Sequence, residues 1–179
     1  MNYTKIIKYD CANGEGWRTS LFVSGCTNHC PGCFNQEAQD FNYGKSFDQT
    51  AEYYLQQYLN KEFVDGLSIL GGDPLSQSKV DIYTLARLCA YTHNINKNVW
   101  LWTGYKWEDI FPNVELTETV DTKLIYQQVL LTSCDVVIDG PFVEELKDPS
   151  LKWRGSSNQR IIDVKQSLQQ NKIILWKEE

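Results

Sequence analysis

The sequence predicts an α/β fold, drawn as an incomplete (partial) TIM-like β/α barrel of about five or six parallel strands with flanking helices. Short apolar runs alternate with helix-patterned stretches along the whole chain. Such alternation implies parallel βαβ units of about 30 residues each, and 179 residues hold roughly five or six of them. A closed eightfold barrel typically needs about 250 residues, so the sheet is expected to be open or the barrel incomplete.

Each element has its own signal. Residues 20–25 form a short apolar run ending in Gly25, the pattern of a buried strand. Residues 49–60 read as a helix, with Ala51, Tyr54, Leu55, Tyr58 and Leu59 on one face. Residues 66–71 read as a second strand, and after Pro74 residues 79–92 are helical in pattern, with Val80, Leu85, Leu88 and Cys89 as core candidates. A third strand covers 98–103 before Gly104, a helix lies near 122–131, and a fourth strand covers 135–139 before Gly140-Pro141. Residues 159–164 and 172–176 both read as strands, with a turn or short helix between them. No fixed-period repeat, low-complexity tract or linker interrupts the chain, so one domain over residues 1–179 is expected.

In both open sheets and barrels, sites form at the carboxyl ends of parallel strands. Four motifs fall at such ends: Gly25-Cys26, Gly71-Gly72-Asp73-Pro74, Thr103-Gly104 and Asp139-Gly140. That shared placement predicts one common site.

Bulk properties narrow the function classes. The net charge of −6 argues against a general nucleic-acid role, which leans on an excess of Lys and Arg. No apolar run approaches the roughly 18 residues that span a bilayer, and the first residues contain no apolar core of a secretory signal. A cytoplasmic protein with reduced thiols is expected.

Three of the six cysteines, Cys26, Cys30 and Cys33, lie in one short loop. Thiolates packed this closely are metal ligands or redox groups. A structural zinc site wants four protein ligands, as does an ordinary ferredoxin cluster. Three thiolates on a [4Fe-4S] cubane would leave one iron open to a chelating ligand. Two other readings stay open: zinc with His29 or Cys11 as fourth ligand, and a redox pair of Cys30 and Cys33. Cys11, Cys89 and Cys134 read as small buried hydrophobes.

The CxxxCxxC loop after a first strand, with Gly71-Gly72-Asp73-Pro74 after a second, resembles the radical S-adenosylmethionine enzymes. Further runs are similar to the activating proteins of anaerobic ribonucleotide reductase: Asn13-Gly-Glu-Gly16, Gly32-Cys-Phe-Asn35, Leu70-Gly-Gly-Asp-Pro-Leu75, Leu101-Trp-Thr-Gly-Tyr105, Asp139-Gly-Pro-Phe142 and Trp153-Arg-Gly-Ser-Ser-Asn-Gln-Arg160. Two positions depart from the superfamily pattern. Gly32 stands where many members carry an aromatic before the third cysteine, and the acidic residue of the Gly-Gly motif is Asp73 rather than Glu.

The resemblance implies an oxidoreductase that cleaves S-adenosyl-L-methionine at a [4Fe-4S] cluster held by Cys26, Cys30 and Cys33. It would then place a glycyl radical on the reductase. It also implies adenine contacts from Gly32 and Phe34, and cofactor contacts from Gly71, Gly72, Asp73, Thr103 and Gly104. The implied partners are the glycine-bearing loop of the anaerobic ribonucleoside-triphosphate reductase large subunit and an electron donor such as a flavodoxin-like protein. Each glycine pair also admits a plain turn reading. Trp100, Trp102 and Trp107 read as core or interface. Asp139, Arg154 and Arg160 admit both site and structural roles. Other targets, a different glycyl-radical enzyme or a small molecule, and a non-catalytic zinc module stay open beside this reading.

Overall fold

The computed structural model describes residues 1–112 and 121–177. The chain enters through strand β1 (Asn2–Asp10), pairs it antiparallel with β2 (Arg18–Val23), and passes the cysteine loop and a 3-10 turn to a two-residue β3 (Lys45–Ser46). Helix α1 (Gln49–Leu59), β4 (Gly66–Gly71), α2 (Lys79–Asn94), β5 (Asn98–Trp102), the short α3 (Trp107–Ile110), α4 (Thr122–Thr132), β6 (Val136–Asp139), β7 (Arg160–Asp163) and α5 (Val164–Gln170) follow. The seven strands form one sheet in the order β3-β1-β2-β4-β5-β6-β7.

Among the described residues four strands, β2, β4, β5 and β6, run parallel, rather than the five or six expected. Connection length explains the difference. A parallel pair needs a crossover of a dozen or more residues, usually a helix. The seven residues 11–17 between β1 and β2 are too few, and β7 returns antiparallel to β6 after an irregular connection without a crossover helix. The strand expected at 172–176 is reduced to a single bridge, Ile162 to Leu175.

Side chains alternate across the sheet. Leu21, Val23, Leu67, Ile69, Val99, Leu101 and Val137 face the helices and pack with Leu55, Leu59, Leu85 and Leu88 into the main core. On α1 the core stripe is Ala51, Leu55 and Leu59, while Tyr54 is exposed; on α2 it is Ile82, Leu85, Ala86, Leu88, Cys89 and Thr92. Val80 lies off that stripe and is exposed, contrary to expectation. Cys89 and Cys134 are buried as expected, but Cys11 is exposed because it follows the end of β1 in a loop without a core to enter.

The other face is built differently. Trp100, Val136, Ile138 and Ile161 form a second apolar cluster, covered by Trp102, Trp153 and Trp176. Beside it Arg18 is fully buried, its guanidinium bonded to Ser68 Oγ, Glu15 O, Asn98 Oδ1 and Leu67 O. Burial pulls Arg18 down to about 9 against the field of Asp65, Asp135, Asp10 and Glu15, which leaves it charged at neutral pH. Among the described residues no helix is long and apolar enough to cross a membrane.

Candidate functional site

The site begins where β2 and β4 end side by side. Their backbones stay bonded past the strand ends, through Gly72 N to Val23 O (2.7 Å) and Asp73 N to Gly25 O (2.9 Å). At Gly72 a Cβ would lie 2.5 Å from Gly25 O and 2.7 Å from Ala38 O, so three backbone segments meet only because no side chain intervenes. Gln77 clamps the same corner, donating through Nε2 to Ser24 O, Gly25 O and Asp73 O.

From this corner the cysteine loop rises. Asn28 N–H points at Cys26 Sγ (3.4 Å), and Asn35 N–H points at Cys33 Sγ (3.4 Å). Such donors ease negative charge on sulfur and are among the features that tune iron–sulfur centres. Burial pushes the Cys26 thiol up, opposed by the Asn28 N–H and aided by the Asp73 charge, so the thiol alone is held protonated. A bound metal reverses that preference by stabilising thiolate. His29 bonds through Nδ1 to Gln39 Oε1 (3.2 Å).

Asp73 is the hub beneath the loop. Its buried carboxylate accepts from Leu75 N (2.9 Å) and Thr103 Oγ1 (3.0 Å) on one oxygen, and from Asn28 Nδ2 (2.6 Å) and Gly104 N (2.8 Å) on the other. Burial pushes this carboxyl up, and the bonds from Gly104, Leu75, Thr103 and Asn28 work against it. The Thr103 hydroxyl, from a residue expected among the cofactor contacts, donates to Asp73 and accepts from Tyr105 N.

A cavity of about 400 Å³ opens above these groups. Cys26, Cys30, Cys33, Phe34, Gly71, Gly72, Asp73, Thr103 and Gly104 all line it, so nearly every residue expected at the site is gathered in one place. Gly32 is not among the lining residues. It adopts a left-handed turn (φ +68°), and a Cβ there would press on the Glu144 carboxyl at 2.6 Å. Phe34 is 69% exposed and meets Phe142 edge-on at 5.7 Å.

The sequence left several wall residues unnamed. Phe22, Leu70 and Trp102 line the cavity as the last residues of β2, β4 and β5 on the face opposite the helices. Strand alternation carried that signal. Trp102, expected as core or interface, also ties the far wall by donating to Trp153 O (2.7 Å). Asn28 carried no signal beyond its place between the cysteines. Asp139 and Arg160 stand apart: buried Asp139 pairs with Arg160 and accepts from Trp107 N, and Arg160 grips Glu108 with both Nη atoms. Arg154 lines the cavity and donates to Gln159 O (3.4 Å).

Among the described residues no three His, Cys, Asp or Glu side chains converge as one metal ion would require. A cubane makes no such demand, since each thiolate binds its own iron. Three half-buried thiols on one cavity wall, with N–H groups aimed at two of the sulfurs, fit a cluster.

Comparison with known proteins agrees. A family described as a 4Fe-4S single cluster domain matches residues 12–162. The anaerobic ribonucleoside-triphosphate reductase-activating protein of Haemophilus influenzae is 38% identical over 168 residues, covering 90% of this chain and 97% of its own. That of Escherichia coli K12 is 40% identical over 162 residues, covering 89% and 96%, and that of bacteriophage T4 is 37% identical over 162 residues, covering 90% and 93%. With the cysteine loop, its cavity and these matches in agreement, the chain belongs to the anaerobic ribonucleoside-triphosphate reductase-activating protein family, built on a 4Fe-4S single cluster domain.

Proposed function

We propose that this chain is a radical S-adenosylmethionine enzyme that holds a [4Fe-4S] cluster on Cys26, Cys30 and Cys33 and generates a glycyl radical on an anaerobic ribonucleoside-triphosphate reductase. The observation that carries the reading is the single cavity that joins the three cysteines to the Gly71–Asp73 and Thr103–Gly104 turns. When bound, the cluster and S-adenosylmethionine supply a one-electron cleavage that yields a carbon radical able to take hydrogen from a glycine α-carbon.

The chain's own residues bind, orient and shield. Three thiolates leave a cluster one corner for a chelating ligand. Gly71 and Gly72 present bare backbone on the cavity wall, where carbonyl oxygens can accept from an ammonium group. Phe34 offers a ring for the adenine, while Gly32 shapes the turn that presents it. Thr103, Gly104 and Asn28 are positioning residues, acting through Asp73 to hold the cysteine loop against the ends of β4 and β5. Phe22, Leu70 and Trp102 make the floor apolar, which limits water around a reactive radical.

We read the sheet as the wall of a partial barrel that the partner's glycine-bearing loop enters at the carboxyl ends of the strands. Six free cysteines suit the reducing cytoplasm, where a flavodoxin-like donor would supply the electron. The test is anaerobic reconstitution. The protein should be brown, carry iron and sulfide in near-equal amounts, and form 5′-deoxyadenosine and methionine. A glycyl-radical doublet should appear in the electron paramagnetic resonance spectrum of the partner. Cys30→Ala should lose cluster and cleavage together, and cleavage at the wild-type rate in that variant would overturn the ligand assignment. A colourless zinc protein would end the proposal.

A further inference from the structure

Four of the six tryptophans touch one another on the face of the sheet away from the helices. Trp102 and Trp153 line the cysteine cavity. Trp100, fully buried on β5, meets the Trp153 ring at 4.9 Å, the Trp102 ring at 6.0 Å and the Trp176 ring at 5.8 Å between centroids. Trp100 and Trp176 then line a second cavity, of about 660 Å³, where β5 and β6 begin. Indole rings therefore run without a break from the cysteine wall to the opposite end of the sheet. Trp153 holds a left-handed backbone (φ +59°), a conformation that costs a bulky residue energy and persists only where its surroundings impose it. The bond from Trp102 Nε1 to Trp153 O (2.7 Å) helps to impose it.

Indole is among the most easily oxidised side chains, and electrons pass readily between rings in contact. The charges along the row are uneven. The Arg18 guanidinium lies over the Trp100 ring at 5.3 Å and opposes a positive charge there. Around the second cavity Glu15, Asp65, Asp135 and Asp163 outnumber Lys165, and they still outnumber the cations once Arg18 and Lys97 nearby are counted. Trp176 shares that wall, so its surroundings favour a positive charge.

We propose that Trp102, Trp153, Trp100 and Trp176 form a hole-transfer row that carries oxidising equivalents out of the cysteine cavity, a protective role that rests on the cluster reading for Cys26, Cys30 and Cys33. The oxidant is carbonate radical. One electron from ferrous iron and one from bicarbonate reduce hydrogen peroxide to water and hydroxide and leave that radical behind. Carbonate radical takes one electron from Trp102 or Trp153 and becomes carbonate. The indole cation radical takes an electron from Trp100, which takes one from Trp176. A small thiolate then returns an electron to Trp176 and leaves as a thiyl radical; no bond forms or breaks along the row. The productive carbon radical is not drained, because it takes hydrogen atoms rather than electrons and the Trp102 N–H is engaged by Trp153 O.

The test maps where oxidation ends and does not depend on turnover. Anaerobic holoprotein in bicarbonate buffer receives hydrogen peroxide, catalase stops the reaction, and mass spectrometry reads tryptophan oxidation peptide by peptide. Trp17, 48% exposed and outside the row, reports attack from bulk solution. In the wild type Trp176 should be oxidised more than Trp17 although it is less exposed, and added glutathione should suppress the Trp176 products. Trp100→Phe should lower oxidation at Trp176 by about tenfold, a barrier change of about 1.4 kcal/mol, and raise it at Trp102 and Trp153. Trp176→Phe, at the rim rather than in the fully buried core, should also raise it at Trp102 and Trp153, and it decides the matter if Trp100→Phe does not fold. A pattern that neither variant changes would overturn the proposal. Iron analysis of the same samples separates the failures: an unchanged pattern with iron bound defeats the row alone, whereas a protein that takes up no iron and sulfide defeats the cluster reading and the role that rests on it.

Discussion

Replacing Asp73 with Asn tests whether this residue holds the site together through hydrogen bonds. The substitution keeps the shape and turns one acceptor oxygen into a donor. If the new amide nitrogen takes the place of the oxygen that serves Asn28 and Gly104, the Gly104 N–H loses its acceptor, whereas Asn28 can turn its own amide. If it takes the other place, the Leu75 N–H faces a donor, while Thr103, already 3.1 Å from the second oxygen, can donate there. Either arrangement orphans one backbone N–H, which costs about 1–3 kcal/mol. Burial pushes the Asp73 carboxyl up, so the neutral amide escapes that penalty and the net loss belongs in the lower half, about 1–2 kcal/mol. With a urea slope of about 2 kcal/mol/M, the unfolding midpoint of the metal-free protein should fall by about 0.5–1 M. Anaerobic urea titration followed by tryptophan fluorescence reads this directly. A variant that unfolds at the wild-type midpoint would show that the four bonds at Asp73 contribute nothing net, and its assignment as a positioning hub would be wrong.

Two further perturbations separate other parts of the argument. Gly72→Ala drives a Cβ into two carbonyl oxygens of the backbone, which cannot swing away as a side chain would, and should cost about 1–3 kcal/mol while reducing iron uptake; wild-type stability and iron content together would refute the close-approach account. Glu108 is held down at about 2 by its hydrogen bonds with Arg160, against 4.5 unperturbed, so its contribution is present above 4.5 and is lost as pH falls toward 2. Because Glu108 is largely exposed, Glu108→Gln should cost at most about 1 kcal/mol at pH 7. That gap between urea midpoints should close as pH drops through the same window; a gap that persisted at the acid end would mean the pair does not act through charge.

The parallel strands and the long helices were legible in the sequence because apolar runs and helical periodicity are local signals. The carboxyl-end placement of the Gly71–Asp73 and Thr103–Gly104 turns led directly to the cavity. What escaped depends on pairing and direction. Strand β1 mixes Lys5 and Lys8 with Ile6 and Ile7 and gives neither a clean alternation nor a continuous apolar run. The antiparallel sense of β7 comes from its irregular connection, whose folding is not written in strand propensity. Thr103 was rightly placed at a strand end, but only three-dimensional proximity shows its hydroxyl committed to Asp73 across 30 residues of chain. Asn28 is a similar case, a polar loop residue whose partner lies 45 positions away.

The margin of the sheet on the β1 side has a consequence for life in a crowded cell. An unpaired strand margin invites another chain to add to it, and among the described residues the outer rim of β1 is paired only at Asn2 and Tyr3. Over the rest of its length, register shifts between Tyr3 and Lys5 and between Ile7 and Asp10 break the even spacing that an incoming strand would need. Exposed Lys5 and Lys8 make stacking of two copies electrostatically costly. The same irregularity that hid β1 from pattern reading therefore guards the molecule against edge-to-edge aggregation.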